Sequence, residues 1–292
     1  MFKKILIMAG GPIRKLDAFS QAAKKLDVDL TVASFADVNY KTGGKYRLFV
    51  GERDIAEFDL IYFRVVGKRI EDATLVASYA KEHGVRLVDK LYKDSLLLPS
   101  SISKAAETAK LIAAGIPMPK TFYGSLEYLG RTAPGELGFP FVIKSTTGKK
   151  AREVWIADEE PASLVSELRK KEKEGMRFFA QEFVRASQRY RVFVLAGEVV
   201  ATLAQPTKWR KRFNQDEVEK GLVSQPTREM SELAIRATDA AGLDISGVDI
   251  LQVDETGELL VIEANAAPSW KLVEKYTGKV MAEEILKYLI SN

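Results

Sequence analysis

The sequence contains no cysteine. Its absence excludes a disulfide-stabilised secreted fold, thiolate metal sites and cysteine nucleophiles. His83 is the only histidine, and it lies within residues 81–84, where a helix is expected to end. A serine–histidine triad and a zinc site built from several histidines are therefore excluded as well. Any catalysis by this chain must depend on positioning and on charge.

Long apolar runs are also absent, and no stretch approaches the roughly 20 apolar residues of a membrane-spanning helix. The basic residues 1–4 precede only a short apolar run, 5–9, which ends in the turn residues 10–12. That run is too short for the hydrophobic region of a signal peptide, so we expect a buried strand there. We expect a cytoplasmic protein with no membrane partner.

The length and the net charge of the chain indicate how many compact units it forms and which kind of ligand it binds. A chain of 292 residues exceeds the size at which one core grows comfortably, so two or three compact units are expected. The 44 basic and 40 acidic residues give a formal net charge of +4, a mild excess that suits an anionic ligand. One short basic and aromatic cluster, residues 208–213, is too little to support a nucleic-acid partner, and we do not expect one.

The first third of the chain alternates apolar runs with amphipathic segments, which predicts an α/β domain with a largely parallel sheet. The predicted strands are 4–9, 28–34, 46–50, 59–63 and 85–88, and the predicted helices are 15–26 and 70–83. Ligands bind beyond the carboxyl ends of such strands, near Gly10-Gly11 and Arg64. Without a complete G-x-G-x-x-G, the glycines favour a tight turn. Arg64 fits a structural ion pair and a substrate-carboxylate contact equally well.

Residues 90–102 lack a clear period and contain Pro99-Ser100-Ser101, so we predict a linker with a domain boundary near 98. Ser103 is a candidate N-cap for the helix that follows. Beyond the linker we predict helices at 104–114, 161–173, 230–242 and 279–290, and strands from 121 and at 139–143, 155–156, 178–184, 190–195 and 198–204.

The segment 145–152, STTGKKAR, joins two of these strands. It fails the Walker A spacing. Its small hydroxyl residues, Gly148 and the cations beginning at Lys149 would suit a flap that binds phosphates through backbone N–H groups and charge. A plain basic surface hairpin is the other interpretation, and the segment taken alone slightly favours it.

Residues 247–270 predict a hairpin that carries polar side chains within apolar strands. Val248–Val253 and Leu259–Ala264 are apolar runs, and turn residues separate them. If the turn centres on Thr256, Asp249 lies opposite Glu263. Asn265, two residues further on, then points to the same face as Glu263.

Two carboxylates that face each other across a hairpin repel, and their burial requires a compensating cation. Mg²⁺ takes oxygen ligands and shares them with substrate phosphates, so the pair predicts a metal and a nucleotide. A solvated acidic hairpin is the alternative, and an acidic hairpin alone favours it. The unbroken apolar run 259–262 before Glu263 does not alternate as an exposed face would, and we therefore prefer metal binding.

The order of these parts resembles the ATP-grasp superfamily, and within it the RimK-like carboxylate–amine ligases, which include ribosomal-protein glutamate ligase and lysine-biosynthesis ligases. The resemblance covers essentially the whole chain. The motifs that carry it are SISK with G-I-P-x-P at 101–119, Lys144 and its flap, QEFV at 181–184, GVDIL at 247–251 and VIEANAAP at 261–268. It implies an α+β ATP-grasp fold, with an N-terminal α/β (pre-ATP-grasp) domain at 1–98 and two ATP-grasp subdomains at 99–182 and 183–292 that enclose ATP.

The resemblance also implies roles for individual residues. Asp249, Glu263 and Asn265 would hold two Mg²⁺ ions, for which Mn²⁺ can substitute, with Glu263 bridging. Lys144 would lie near the purine and α-phosphate, and the 181–184 segment would read adenine. The implied nucleotide-binding residues are Lys104, Lys144, Gly148, Lys149, Gln181, Glu182 and Val184. The implied catalytic residues are Arg191, near the transferred phosphoryl group, and Asn214, in the substrate loop.

Three positions depart from the family pattern. Ser103 stands where an aspartate is common, and Arg189 stands where an acidic residue is common, so the nucleotide's ribose contacts are not carried over. The flap has a single glycine, Gly148, where several are common.

These observations lead us to expect an ATP-dependent ligase. A substrate carboxylate would attack the γ-phosphate, and an amine would displace phosphate from the acyl phosphate to form an amide or peptide bond, adding an amino acid to a small acid or peptide. The alternatives are an ATP-grasp kinase with a hydroxyl acceptor and a nucleotide-sensing module without turnover. The basic loop 208–212 favours an acidic substrate such as an acidic peptide, and a homo-oligomer is left open.

Overall fold

The computed structural model describes residues 3–41, 46–93, 103–146, 153–159, 161–207, 221–223 and 225–291. The strands are β1 (Lys4–Ala9), β2 (Asp29–Ser34), β3 (Val38–Lys41), β4 (Arg47–Val50), β5 (Arg53–Asp54), β6 (Leu60–Val65), β7 (Arg86–Leu87), β8 (Thr121–Gly124), β9 (Phe141–Ser145), β10 (Val154–Ala157), β11 (Phe178–Glu182), β12 (Gln188–Leu195), β13 (Glu198–Pro206), β14 (Gly221–Leu222), β15 (Ile245–Gln252) and β16 (Leu259–Asn265). The helices are α1 (Asp17–Leu26), α2 (Ile70–Glu82), α3 (Lys90–Lys93), α4 (Lys104–Ala113), α5 (Leu126–Leu137), α6 (Ala162–Lys173), α7 (Arg228–Ala241), α8 (Lys271–Thr277) and α9 (Met281–Ser291).

The first sheet is parallel, with strand order β2-β1-β6-β7, as the alternating pattern predicts. Its central strand β1 is buried on both faces. Ile5 and Ile7 pack into one apolar cluster, and Leu6 and Met8 pack into another on the opposite face. This arrangement explains why the strand reads as a continuous apolar run.

A small antiparallel sheet, β3-β4-β5, lies beside the parallel one, and the sequence predicted only its middle strand. The outer strands are short, and most of β3 is exposed. They lack the apolar alternation on which a strand prediction depends. Their pairing with β4 defines them instead.

The second sheet, β10-β9-β11-β8, is antiparallel, and α5 and α6 cover one of its faces. Helix α5 was not predicted from the sequence, because Pro134 and two glycines lie inside it. Its beginning is nevertheless well defined, since the Ser125 hydroxyl accepts the backbone N–H of Tyr128 at 3.2 Å. Leu126, Leu129 and their neighbours pack against the sheet, so tertiary burial outweighs the helix-breaking residues.

The third sheet has five strands in the order β14-β13-β12-β15-β16. The predicted β12–β13 hairpin turns at Ala196 and Gly197, whose φ angles of 54° and 78° are those of a type I′ turn. Helices α4 and α7 pack together against this sheet, and Leu111 of α4 shares a core with Leu233 of α7. The segment that opens the predicted 99–182 unit therefore packs on the sheet of the 183–292 unit.

The C-terminal helix α9 packs on α1 of the first unit, where Ile285 and Leu289 join the cluster around Phe19. The predicted linker 90–102 is wrong at its start, because Lys90–Lys93 form the short helix α3, in which Leu91 and Tyr92 are buried. Residues 94–102, with the boundary near 98, lie outside the described residues. The domain limits remain a prediction. Among the described helices, none combines the length and apolar character needed to cross a membrane.

Candidate active site

The hairpin of β15 and β16 brings Asp249 opposite Glu263, which confirms the predicted pairing. The same register pairs Gly247 with Asn265. Nearer the turn it shifts by one residue, and Ile250 lies opposite Val261. Ile262 is therefore an extra residue in β16, and it forms a β-bulge directly before Glu263.

The bulge determines which way the acidic side chain points. In an unbroken strand, neighbouring side chains point to opposite faces. Ile262 and Glu263 instead both line one cavity of about 370 Å³. Without the extra residue, the register near the turn would place Asp249 opposite Ile262. A bulge next to a functional site commonly redirects a side chain in this way.

Asp249 is bound by an arginine from the neighbouring strand. Arg191 of β12 pairs with Asp249 in the ladder and donates from Nε to Oδ1 at 2.7 Å and from Nη2 to Oδ2 at 2.6 Å. Arg189 Nη1 is 4.0 Å from Oδ2. The hydrogen bonds with Asp249 raise the pKa of Arg191 above its already high value. Arg191 thus fixes the orientation of the Asp249 carboxylate.

Glu263 has different partners. Asn265 Nδ2 donates to Glu263 Oε1 at 3.0 Å and to the Gly247 carbonyl oxygen at 3.2 Å. Lys104 Nζ of α4 lies 3.5 Å from Glu263 Oε2. Burial by itself would raise the pKa of Glu263, but Lys104 and Asn265 outweigh it and lower the pKa.

Part of the compensating charge expected from a metal is therefore supplied by Lys104 and Arg191. The described ranges contain no group of three or more histidine, cysteine or acidic side chains arranged for a metal ion. The donor set on the hairpin is two carboxylates and one amide, all hard oxygen ligands of the kind Mg²⁺ accepts when phosphates and waters complete its shell. Each carboxylate oxygen keeps a lone pair beyond its present contact. The residues fit Mg²⁺, and the metal role of Asp249, Glu263 and Asn265 remains a prediction.

Lys144, at the end of β9, is the cation on the opposite side of the cleft. Its Nζ donates to Gln181 Oε1, and Gln181 Nε2 in turn donates to Thr121 Oγ1 at 2.9 Å. Burial lowers the pKa of Lys144 to about 8. The Gln181 side chain therefore supports the lysine.

The predicted adenine-reading segment lines a mainly apolar cavity of about 160 Å³. The cavity lies between the second and third sheets, and its lining includes Lys144, Gln181, Glu182, Phe183, Val184, Arg189, Leu251 and Ile262. Glu182 pairs with Lys120, whose backbone N–H donates to Glu182 Oε2 at 3.2 Å. A mainly apolar slot of this kind is suited to a flat base.

This base-sized cavity continues into the cavity that contains the carboxylate pair. Both are lined by Lys144, Val154, Gln181, Arg189 and Ile262. Lys104, Arg191, Asp249 and Glu263 line the carboxylate cavity but not the base-sized one. The predicted site residues that the structure describes therefore surround one cleft, with the base-sized cavity at one end and the carboxylates at the other, except for Asn265. Asn265 contacts Glu263 and lines a neighbouring cavity instead.

Glu107 is a site residue that the sequence analysis missed. Its Oε1 accepts the backbone N–H of Ala264 at 2.6 Å, and burial raises the pKa of its carboxyl to about 7. It lines both the carboxylate cavity and a third cavity of about 330 Å³ between α4, the β6–α2 connection and the end of β16. Its place three residues after Lys104 on a helix was the available signal.

Arg64 forms no ion pair with any described residue, so its contacts within the described ranges do not support the structural ion-pair interpretation. Nη2 donates to the Pro268 carbonyl oxygen at 2.7 Å, and the guanidinium lies 3.9 Å from the centre of the Trp270 ring. Nη1 is buried and has no hydrogen-bond partner within the part of the chain that the structure describes. Arg64 holds the chain beyond Asn265 against the first sheet, and a substrate contact remains a prediction.

Glycine is required at position 10 because the backbone of Val66 approaches it closely. A Cβ on Gly10 would lie 2.0 Å from the Val66 carbonyl oxygen, whereas one on Gly11 would meet nothing within 4 Å.

His83 caps the C-terminal end of α2 as expected, with Nδ1 2.9 Å from the Tyr79 carbonyl oxygen. Gly148, Lys149, Asn214 and the basic loop 208–212 lie outside the described residues, and their roles remain predictions.

Residues 103–289, well over half of the chain, match the family model described as the RimK-like ATP-grasp domain. The chain belongs to this family. The match begins at Ser103 and includes residues 181–184, called the hinge from here on, together with both cavities and the carboxylate hairpin, so the resemblance stated from the motifs is confirmed. The α+β ATP-grasp fold is confirmed with it.

Curated relatives of this RimK-like chain carry ligase or synthase names. A probable alpha-L-glutamate ligase of Haemophilus influenzae (strain PittEE) is 30% identical over 188 residues, which are 62% of this chain and 61% of that protein. N-acetylaspartylglutamate synthase A of Homo sapiens is 29% identical over 234 residues, 77% of this chain and 58% of that protein. The chain thus spans about three-fifths of the length of these relatives.

Solved structures agree on the fold. The ATP-grasp ligase PsnB, in a complex with a phosphomimetic variant of a minimal precursor, Mg and ADP, superimposes with a TM-score of 0.72 at 17% identity, covering 99% of this chain and 98% of PsnB. D-cycloserine synthetase DcsG gives a TM-score of 0.68 at 16% identity, covering 98% of this chain and 99% of DcsG. At these identities the likeness concerns the architecture.

Proposed function

We propose that this RimK-like protein is an ATP-dependent carboxylate–amine ligase that releases ADP and phosphate. The observation that carries the proposal is the continuous cleft from the base-sized cavity at Gln181–Val184 to the paired carboxylates Asp249 and Glu263. The ligase and synthase names of its relatives support the same chemistry.

ATP would bind with its base at the hinge and its phosphates directed towards the carboxylate hairpin. Lys144 would contact the base and α-phosphate, and Lys104 the terminal phosphates, while the segment around Gly148 and Lys149 would cover them. Asp249, Glu263 and Asn265 would hold Mg²⁺, in our proposal two ions, with Mn²⁺ as a substitute. When bound, Mg²⁺ would neutralise phosphate charge and orient the β- and γ-phosphates.

The chain's own residues position the reactants. Arg191 holds Asp249 through two hydrogen bonds and leaves Nη1 directed away from that pair, available for the transferred phosphoryl group. An acceptor carboxylate oxygen attacks the γ-phosphorus, ADP leaves, and an acyl phosphate forms. The amine then attacks the carbonyl carbon, loses its proton and expels phosphate, which yields the amide. Asn214 would contact the acceptor, and exclusion of water from the cleft would protect the acyl phosphate.

We place the entry of the acceptor at the third cavity. Lys104, Glu107 and Glu263 line both this cavity and the carboxylate cavity, so these three residues form the wall between them. An acceptor held there meets the γ-phosphate at the carboxylate pair without passing the base. The remaining lining is largely apolar, from Val65 and Val66 to Ala266 and Ala267, and this suits the carbon skeleton of an acid.

We propose an amino acid as the amine and an acid or peptide as the acceptor, with an acidic substrate on one side of the reaction. Glutamate appears in the names of both curated relatives given above. The basic loop 208–212 agrees with an acidic substrate. A cytoplasmic location, a homo-oligomer and the limits 1–98, 99–182 and 183–292 remain our predictions.

The test is a screen of ATP turnover by the purified chain with Mg²⁺ against pairs of acids or acidic peptides and amino acids. Ligation requires ADP and phosphate release that depends on both substrates, together with a product whose mass equals their sum less one water. Release of ADP with a phosphorylated acceptor would identify a kinase instead. Nucleotide binding without any turnover across the panel would favour a sensing module.

A further inference from the structure

The arginine two residues before Arg191 also faces the nucleotide cleft. Arg189 and Arg191 lie on the same face of β12, and both line the carboxylate cavity. Arg189 additionally lines the base-sized cavity, whereas Arg191 does not. The two arginines therefore serve different parts of the cleft, and neither the site geometry nor the relatives assign a role to Arg189.

The hydrogen bonds of the two arginines differ as well. Nε and Nη2 of Arg191 are both taken by Asp249. Arg189 is anchored through one bond, from Nη2 to Gln205 Oε1 at 2.6 Å. Its Nη1 stays 4.0 Å from Asp249, beyond hydrogen-bond length, and its Nε is buried without a hydrogen-bond partner among the described residues. A guanidinium with donors left unused in a cleft is prepared for an anionic ligand.

The position of Arg189 identifies which part of the nucleotide it would meet. It belongs to the junction at which the base-sized and carboxylate cavities join, opposite Lys144 from the other sheet. A nucleotide with its base at the hinge and its terminal phosphates at Asp249 and Glu263 passes this junction with its ribose and α-phosphate.

The charge of the junction favours the phosphate over the ribose. Its charged side chains are Lys144 and Arg189, and the remaining lining is Val154, Gln181 and Ile262. The only carbonyl oxygen among these side chains, Gln181 Oε1, already accepts from Lys144. The only side-chain acceptor of the junction is thus already engaged, whereas two cations face an anion.

We propose that Arg189 binds the α-phosphate of the nucleotide from the wall opposite Lys144, so that affinity depends on this phosphate and little on the ribose hydroxyls. The inference rests on the proposed function, because it assumes an adenine nucleotide in the cleft. Lys144 and Arg189 then form a two-sided clamp, with one cation contributed by each of the two sheets that enclose the cleft.

The experiment compares the binding of AMP and of adenosine to the full chain. Mg²⁺ is omitted, so that metal-mediated binding of the phosphate does not contribute to the comparison. Calorimetry would give the dissociation constants, with competition against a fluorescent ATP analogue for weak ligands. The variants are Arg189→Gln, Arg189→Lys, which keeps a charge, and Arg228→Gln as a control. Arg228 is an exposed arginine paired with Glu232 on α7.

We expect the unaltered chain and Arg228→Gln to prefer AMP over adenosine. Arg189→Gln should weaken AMP binding about tenfold or more, as loss of a charge-assisted hydrogen bond does, and leave adenosine binding within about twofold. The AMP affinity of Arg189→Lys should lie between that of the unaltered chain and that of Arg189→Gln. Because the ratio of the two constants is compared within each variant, a general loss of stability does not imitate this result.

An equal loss for both ligands in Arg189→Gln would show that Arg189 shapes the pocket or touches the ribose, and would overturn the inference. So would unchanged AMP binding. Failure of the unaltered chain to bind AMP, ADP or ATP would reject the proposed function itself. That outcome is distinguishable because it appears before any substitution is made.

Discussion

Asp249 and Glu263 face each other because Ile262 adds one residue to β16 immediately before Glu263. The bulge turns the second carboxylate into the cleft beside Asp249, and Lys104 and Arg191 hold the pair in place. A buried carboxylate facing a half-buried one is compatible with a bound cation and costly without compensating charge. The pair therefore yields the most direct test of the metal assignment.

Glu263→Gln should abolish the Mg²⁺-dependent gain in ATP affinity and lower ATP turnover at least tenfold, because an amide is a weaker ligand for Mg²⁺ than a carboxylate. ATP binding would be titrated with and without Mg²⁺. Glu258→Gln is the matched control, since Glu258 is an exposed residue of the same hairpin. If Glu263→Gln keeps Mg²⁺-dependent turnover, the metal assignment is wrong.

The hairpin also illustrates what sequence can predict. The facing of Asp249 and Glu263 followed from a turn centred on Thr256, although that register holds only beyond the bulge, and the pairs nearer the turn are shifted by one. The signal for the shift was the unbroken run 259–262, which fits neither an alternating strand nor an exposed one. The pairing could be predicted from a local pattern because the two strands are close in sequence.

Contacts between distant segments could not be read in the same way. The support of Lys144 by Gln181 and the capture of the Ala264 N–H by Glu107 join residues 37 and 157 positions apart. Helix α5 was missed because its stability comes from burial of Leu126 and Leu129, while Pro134 argues locally against a helix. Tertiary packing, which a single sequence does not display, decides each of these features.

The glycine pair after β1 gives a second test, with its own control. Gly10→Ala should destabilise the chain by about 1–3 kcal/mol, because the new Cβ would collide with the backbone of Val66. Gly11→Ala should be nearly neutral, since open space surrounds that position and its φ does not require glycine. Urea unfolding would measure both. Equal stability of the two variants would contradict the close approach of β1 to the β6–α2 connection.

Glu107 predicts a pH-dependent stability. Its folded pKa of about 7 exceeds its ordinary value of 4.5, so the folded state binds the proton more tightly, and this contribution to stability is lost as pH rises from about 4.5 through 7. Glu107→Gln avoids the buried charge and keeps an oxygen for the Ala264 N–H. The variant should match the unaltered chain near pH 4.5 and be more stable by on the order of 2 kcal/mol at pH 8.

Thermal or urea unfolding in the presence of a chelator, across pH 4.5 to 8, would follow this difference without metal ions. Glu127→Gln is a suitable control, because Glu127 is an exposed glutamate in the first turn of α5. A Glu107→Gln variant that is less stable than the unaltered chain at pH 8 would mean that the charged carboxylate is favoured where it lies.

Lys144 connects pH to nucleotide binding. Burial lowers its pKa to about 8, so the free protein loses this positive charge as pH rises through 8. A bound phosphate favours the charged amine, and the second ionisation of AMP, near pH 6, is already complete. The affinity for AMP should therefore decrease above pH 8, approaching tenfold per pH unit, with uptake of a proton on binding. Calorimetry in buffers of different ionisation enthalpy would measure both quantities between pH 7 and 9.5.

Adenosine, which has no phosphate, should show no such pH dependence of its affinity, and Lys144→Met should remove the pH dependence for AMP. A constant AMP affinity over this range in the unaltered chain would mean that Lys144 does not contact the phosphate, and the clamp formed with Arg189 would then have only one side.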